Sequence, residues 1–146
     1  MGKKDLSKKT AIQRVIKNKP KETGKKPSVK RIPMQGKVFV HATFNNTIVT
    51  VTDIQGNTIS WSSTGKTGFK GSRKSTPFAA SKATEEVMQK LYEKGLRSVE
   101  MVINGPGMGR DAAVRSVKNS GLKITSIADV TSIPHNGCRP KGRRRV

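Results

Sequence analysis

Cysteine, acidic residues and long apolar runs are all scarce in this chain of 146 residues. Cys138 is the single cysteine, so no intrachain disulfide can form, which suits a reducing compartment. His135 and Cys138 have ligand-like spacing, but a zinc site takes about four ligands and no further cysteine exists. No metal or other cofactor is expected. No apolar run reaches the ~20 residues of a membrane span, and the N-terminal region lacks the apolar core of a secretory signal. A membrane partner is therefore not expected. Acids number 9 against 30 Lys and Arg, giving a net charge of +21. Such a charge repels itself unless a polyanion neutralises it, and nucleic acid is the commonest such partner.

The charge is unevenly placed. Residues 1–36 carry +10, residues 37–133 carry +6 and residues 134–146 carry +5. This divides the chain into a basic N-terminal arm, a mildly basic domain and a basic C-terminal tail. The arm holds Pro20, Pro27 and Pro33 and few large apolar residues. Leu6, Ala11, Ile12, Val15 and Ile16 suffice for a short helix on binding, but not to offset the arm's ordering entropy alone. It reads as an RNA-directed arm that orders on binding; the plainer reading is a solubilising tail.

The domain is organised around Ser60–Pro77. This loop combines Gly65, Gly68 and Gly71 with Lys66, Lys70, Arg73 and Lys74 and many hydroxyls. Glycine lets a backbone approach a ligand closely, and amides, hydroxyls and cations together contact phosphate. Gly65-Lys66-Thr67 looks like the end of a nucleotide-binding P-loop. That motif needs glycine where Ser60 stands and a helix starting at the Lys-Thr pair. Gly68, Gly71 and Pro77 contradict that helix, so the nucleotide reading fails.

Before the loop the chain alternates as β-sheet does. A first strand is expected over 37–44, with Val38, Val40, Ala42 and Phe44 on one face and Phe39, His41 and Thr43 on the other. Asn45-Asn46 makes a tight turn. Strands over 47–53 and 58–63 follow, around a turn at Gln55-Gly56-Asn57. His41, mid-strand, reads as packed or surface-polar rather than as a ligand. After the loop, Thr76 caps a helix and Pro77 takes its first position. Ala80, Ala83, Val87 and Leu91 form its apolar stripe, widened by Phe78, Met88 and Tyr92; Glu85, Glu86 and Glu93 make a solvated face. Gly95 ends the helix, with Leu96 in contact beyond it. A fourth strand covers 98–104, a second helix runs to Asn119 with Ala113, Val114 and Val117 buried, and Gly121 closes it. A fifth strand follows over 122–131.

The turn Gly105–Arg110 resembles a dinucleotide fingerprint, with Asp129 about twenty residues on. Arg110 stands where the third glycine belongs, and no strand–helix unit of nucleotide-binding type precedes it. Two readings stay open: a phosphate site at a helix N-terminus, or a strand-to-helix turn that needs glycine for geometry. In the tail, Pro134, Gly137, Pro140 and Gly142 forbid regular structure, and its arginines suit bidentate phosphate contacts. Asn136-Gly137 invites isoaspartate formation, because glycine leaves the succinimide route unhindered; Asn136 is the expected modification site.

Phe44-Asn45-Asn46-Thr47-Ile48-Val49, the loops 61–65 and 68–77, Gly105–Arg110, and Asp129-Val130-Thr131 through His135-Asn136-Gly137-Cys138-Arg139-Pro140 occur in a characteristic order. In this the chain resembles the small-subunit ribosomal protein eleven family from about Gly36 to Val146. Asn104, Ser132 and Lys141-Gly142 depart from the family's usual residues, and the arm is longer than the usual bacterial one. The resemblance implies an α/β, ribonuclease H-like fold: a mixed five-stranded sheet, β-β-β-α-β-α-β in order 3-2-1-4-5, with helices packed on it and basic, extended tails. It implies a non-catalytic protein that binds the central domain of small-subunit ribosomal RNA on the platform, near the messenger RNA exit path. Small-subunit proteins seven, eighteen and twenty-one would be its neighbours, in a bacterial cytoplasmic or an organellar ribosome. No homo-oligomer is expected.

The RNA contacts expected are Asn45, Asn46, Lys66, Lys70, Arg73 and Lys74 from the sheet side, and Arg110 and Arg115 from the second helix. His135, Asn136, Arg139, Lys141, Arg143, Arg144 and Arg145 follow from the tail. Cations position the RNA backbone, and asparagines read base edges or 2′-hydroxyls of unpaired RNA. A general nucleic-acid-binding protein or chaperone is the alternative. A ribonuclease H-like nuclease would need clustered carboxylates to hold metal ions; Asp53, Glu100, Asp111 and Asp129 are scattered over different element ends.

Overall fold

The computed structural model describes residues 32–142. Most of the basic arm therefore lies outside the described residues, as do Arg143, Arg144 and Arg145.

Five strands form one sheet: β1 (Gln35–Ala42), β2 (Thr47–Thr52), β3 (Thr58–Ser63), β4 (Ser98–Asn104) and β5 (Lys123–Asp129). Their order across the sheet is β3-β2-β1-β4-β5. The β1–β2 and β2–β3 pairs are antiparallel, and β1–β4 and β4–β5 are parallel. Two helices, α1 (Pro77–Glu93) and α2 (Gly109–Asn119), supply the connections on either side of β4. The sheet is mixed and the order is the one that the resemblance implied.

Alternation along each strand decides which face is buried. Val38, Val40 and Ala42 of β1, Val49 and Val51 of β2, and Val99, Met101 and Ile103 of β4 all turn inward. They meet Ala80, Ala83, Val87, Met88 and Leu91 of α1 and Ala113 and Val117 of α2. Each fully buried Val or Leu contributes about 1.5–3 kcal/mol through area removed from water. The opposite face carries Phe39, His41, Ile48 and Trp61, all exposed.

Three expected core residues are not in the core. Phe44 lies beyond the end of β1 and is 73% exposed, because the chain turns at Thr43. The Thr43 amide donates to the Asn46 carbonyl at 2.9 Å, and the Thr43 hydroxyl accepts from the Asn46 amide at 3.1 Å. Phe78 is 63% exposed; it packs edge-on against Phe69 of the glycine loop, centroids 6.0 Å apart, not against the sheet. Tyr92 is exposed under the Arg97 guanidinium, 4.4 Å from its ring centre. The stripe of α1 is thus narrower than its apolar content suggests.

The helix ends follow local chemistry. The Thr76 side chain accepts from the Ala79 amide at 3.3 Å, and Pro77 sets the first turn. At the other end Gly95 adopts φ of 108°, its amide donates to Tyr92 O and the Leu96 amide donates to Leu91 O. That pair of bonds is a Schellman closure, and Leu96 is buried beyond it.

The start of α2 lies against α1. A Cβ on Gly109 would collide with the Thr47 hydroxyl and stand 3.0 Å from the Ala80 Cβ. Gly109→Ala should therefore cost about 1–3 kcal/mol of stability through overpacking, read as a lower midpoint in urea denaturation. An unchanged midpoint would show that the contact can relax.

Candidate nucleic-acid interface

Chain direction places the interesting loops together. β1, β3, β4 and β5 all end at one pole of the sheet, and β2, α1 and α2 all begin there. Four segments therefore share that pole: the turn Thr43–Asn46, the loop 64–76, the turn 105–108 and the start of the tail at Val130.

The loop 64–76 is internally tied. Thr64 is fully buried; its amide donates to Thr47 O at 3.1 Å, and its hydroxyl donates to Asn46 Oδ1. Its carbonyl accepts from the Phe69 amide at 3.2 Å and from the Thr67 hydroxyl at 2.9 Å. Gly68 and Gly71 take φ of 94° and 57°, where a side chain would be strained. After them a 3-10 turn, Gly71–Ser75, carries Arg73 and Lys74 up to the α1 cap. Lys66, Lys70 and Arg73 are exposed and Lys74 is half-buried. Asn45 is exposed at the tip of its turn, whereas Asn46 spends its Oδ1 on Thr64.

Of the two readings of the 105–110 turn, glycine geometry is visible directly. A Cβ on Gly105 would overlap Ala42 O, and one on Gly107 would overlap Thr43 O. The Gly107 amide donates to Ala42 O at 2.9 Å, which closes the turn over the end of β1. Arg110 is directed inward: its guanidinium donates to Gly105 O at 3.2 Å and pairs with Asp129. Arg115 is exposed one turn further along α2. Both line a shallow cleft of about 570 Å³, with Pro77, Pro106, Met108 and Asp111.

Asp129 organises the root of the tail. Its Oδ1 accepts from the Thr131 hydroxyl at 2.6 Å and the Thr131 amide at 3.0 Å, and its Oδ2 accepts from Arg110. The Thr131 hydroxyl also accepts from the Gly105 amide at 3.0 Å. The Thr131 hydroxyl and amide, and then Arg110, hold the Asp129 carboxyl below the usual carboxylate range. This clamp was not anticipated from sequence. Its trace there is Asp-x-Thr, a pattern in which a carboxylate accepts from the backbone two residues on. His135, Asn136, Arg139 and Lys141 are exposed beyond it.

Charge at the pole is unbalanced. The ion pairs among the described residues are Lys37–Glu100, Lys82–Glu85, Lys90–Glu86 and Arg110–Asp129. Lys66, Lys70, Arg73, Lys74 and Arg115 belong to none of them. The N-termini of α1 and α2 add their partial positive charge at the same end. The acids do not form a metal site: among the described residues no three His, Cys, Asp or Glu stand close enough to hold an ion. Asp53 instead bonds Asn57 in its own turn, and Glu100 pairs with Lys37.

Residues 36–145 match the family model described as Ribosomal protein S11. The chain belongs to the ribosomal protein S11 family. Similar curated proteins are the small ribosomal subunit protein uS11 of Teredinibacter turnerae and that of Nitratidesulfovibrio vulgaris. Each is 56% identical over 128 residues, which is 88% of this chain and 98% of the relative. The uS11 protein of Xanthomonas campestris pv. campestris matches to the same extent. Membership of the S11 family makes the chain a structural, non-enzymatic component of the small ribosomal subunit, associated with ribosomal RNA and other ribosomal proteins. Among the described residues, no helix is long and apolar enough to cross a membrane.

The S11-family tail root should be acid-sensitive. The Asp129 carboxyl titrates lower in the fold than an ordinary aspartate at 3.8, so its stabilising bonds are complete above that pH. They are lost as pH falls through the depressed value. The Thr131 amide resonance should shift with a midpoint below 3.8; a midpoint at or above it would mean that the clamp does not persist in solution.

Proposed function

We propose that the pole carrying Lys66, Lys70, Arg73, Lys74 and Arg115 is the surface that grips small-subunit ribosomal RNA. The observation that carries this reading is the convergence of cations that enter no ion pair among the described residues, beside two helix N-termini. Lys66, Lys70, Arg73, Lys74 and Arg115 meet phosphates and release counterions. Asn45 is free at its turn to meet an unpaired base or a 2′-hydroxyl. Asn46 and Arg110 act chiefly by holding the loop and the tail root in place, with one face of each left for RNA. His135, Asn136, Arg139 and Lys141 extend the grip along the tail, and Arg143, Arg144 and Arg145 continue it in sequence.

The family resemblance supports a finer placement: the central domain of the RNA, on the platform beside the messenger exit path, next to small-subunit proteins seven, eighteen and twenty-one. The bacterial relatives favour a bacterial cytoplasmic ribosome over an organellar one. Domain limits of 1–36, 37–133 and 134–146 divide arm, sheet domain and tail by charge, although β1 already begins at Gln35.

Binding to fragments of the RNA tests the reading. The central-domain fragment should be retained at a salt concentration that releases fragments from other domains. The combined variant Lys70→Ala, Arg73→Ala, Lys74→Ala should flatten the plot of log affinity against log salt by about two to three. Equal affinity for all fragments, or an unchanged slope, would overturn it.

Asn136 is the modification site within this surface. Gly137 follows it, and without a Cβ it leaves the succinimide route unhindered. Peptide mapping of aged protein should find an isoaspartyl peptide at 136; intact asparagine throughout would remove the idea.

A further inference from the structure

The sheet face turned away from the helices is not part of the pole, and its register builds a row. Trp61 of β3 stands opposite Thr50 of β2, Thr50 opposite Phe39 of β1, and Phe39 opposite Val102 of β4. Trp61 is 51% and Phe39 39% exposed, so two aromatic side chains of the chain's six lie on one open surface. Around them stand Ser63, His41 and Asn104, in the neighbouring row. Glu100 is the acid of that face, and Lys37 pairs with it at 3.5 Å.

Lys66 joins this face to the pole. Its ammonium lies 4.5 Å from the Trp61 ring centre and donates to Trp61 O at 3.0 Å. A cation of the phosphate-gripping loop is therefore seated on an aromatic side chain of the open sheet. An apolar protein segment laid here would bury the Lys66 ammonium away from water, which a charged group resists without an ion-pair partner. A polyanion with flat apolar parts meets both features.

We propose that this face is a stacking platform for unpaired RNA bases, with Phe39 and Trp61 as its plates and Lys66 on an intervening phosphate. Thr50, Ser63 and His41 supply hydrogen bonds to base edges or 2′-hydroxyls. The plates are two strands apart, roughly 10 Å. Continuous stacking spaces bases by only ~3.4 Å, so the platform selects splayed, single-stranded nucleotides over duplex. The inference rests on the reading of the pole as an RNA surface and adds a second, base-directed part to it.

Trp61 is the only tryptophan, so its fluorescence reports on this face and on the Lys66 ammonium seated against it. The full chain is titrated with short, unstructured oligouridylate and, separately, with inorganic polyphosphate. Oligouridylate should quench Trp61 by stacking, and more strongly than polyphosphate, which reaches only the Lys66 ammonium beside the ring. Phe39→Leu, which keeps an apolar strand residue, should weaken oligouridylate about fivefold or more and leave polyphosphate unchanged. Phe39→Tyr, which keeps the ring, should bind as the parent does. Oligouridylate binding without quenching, or indifference to Phe39→Leu, would overturn the platform, assign the face to a protein neighbour and leave the pole intact. Failure of both polyanions to bind would overturn the pole and the platform together.

Discussion

No side chain fits at Gly105, Gly107 or Gly109. The first two lie against the backbone oxygens of Ala42 and Thr43, and the third against Thr47 and Ala80. This collar seats the β4–α2 turn on the β1–β2 corner. Arg110 and the tail root hang from it. The Gly107 amide holds Ala42, the Gly105 amide holds the Thr131 hydroxyl, and Gly105 O holds Arg110. Through Asp129 the same contacts fix where the basic tail departs. A glycine pattern that suggests nucleotide binding thus has a packing cause, and its consequence for RNA is indirect: it seats Arg110 and the root of the basic tail.

Charge is sorted by this geometry. Glu85 and Glu86 pair with lysines of their own helix, Glu100 with Lys37, and Asp129 with Arg110. Exposed pairs of this kind contribute little to stability, because water screens them. Among the described residues they engage Glu85, Glu86, Glu100 and Asp129, and none of them takes up a cation of the loop 64–76. A surface charge that repels itself in the free protein is what a polyanion stabilises on binding.

Strand alternation, the Thr76–Pro77 start of α1, the Gly95 closure and the strand 98–104 were legible, because each depends on residues a few positions apart. Phe44, Phe78 and Tyr92 misled for a shared reason. Hydrophobicity says that a side chain gains by leaving water, but not which surface is within its reach. Phe78 found Phe69 on the loop, and Tyr92 found Arg97. Among the candidate contacts, the loop cations were legible as free charges. The inward roles of Asn46 and Arg110 were not, since Thr64 and Asp129 are their partners from 18 and 19 positions away. Phe39 and Trp61 were visible as residues of opposite parity to the core, but their alignment needs the register through Thr50.

By itself the sequence determined the element types, the helix caps, the surplus of positive charge and, through motifs in characteristic order, the family. All of these rest on local stereochemistry or on composition. Tertiary structure decided that four loops distant in the chain meet at one pole, because strand pairing sets chain direction. It decided that both helices cover one face of the sheet and leave the other open, because α1 and α2 pack on each other as well as on the strands. It also decided which polar side chains bind inward, because a hydrogen-bond partner is chosen by distance in space, and sequence separation carries no record of that.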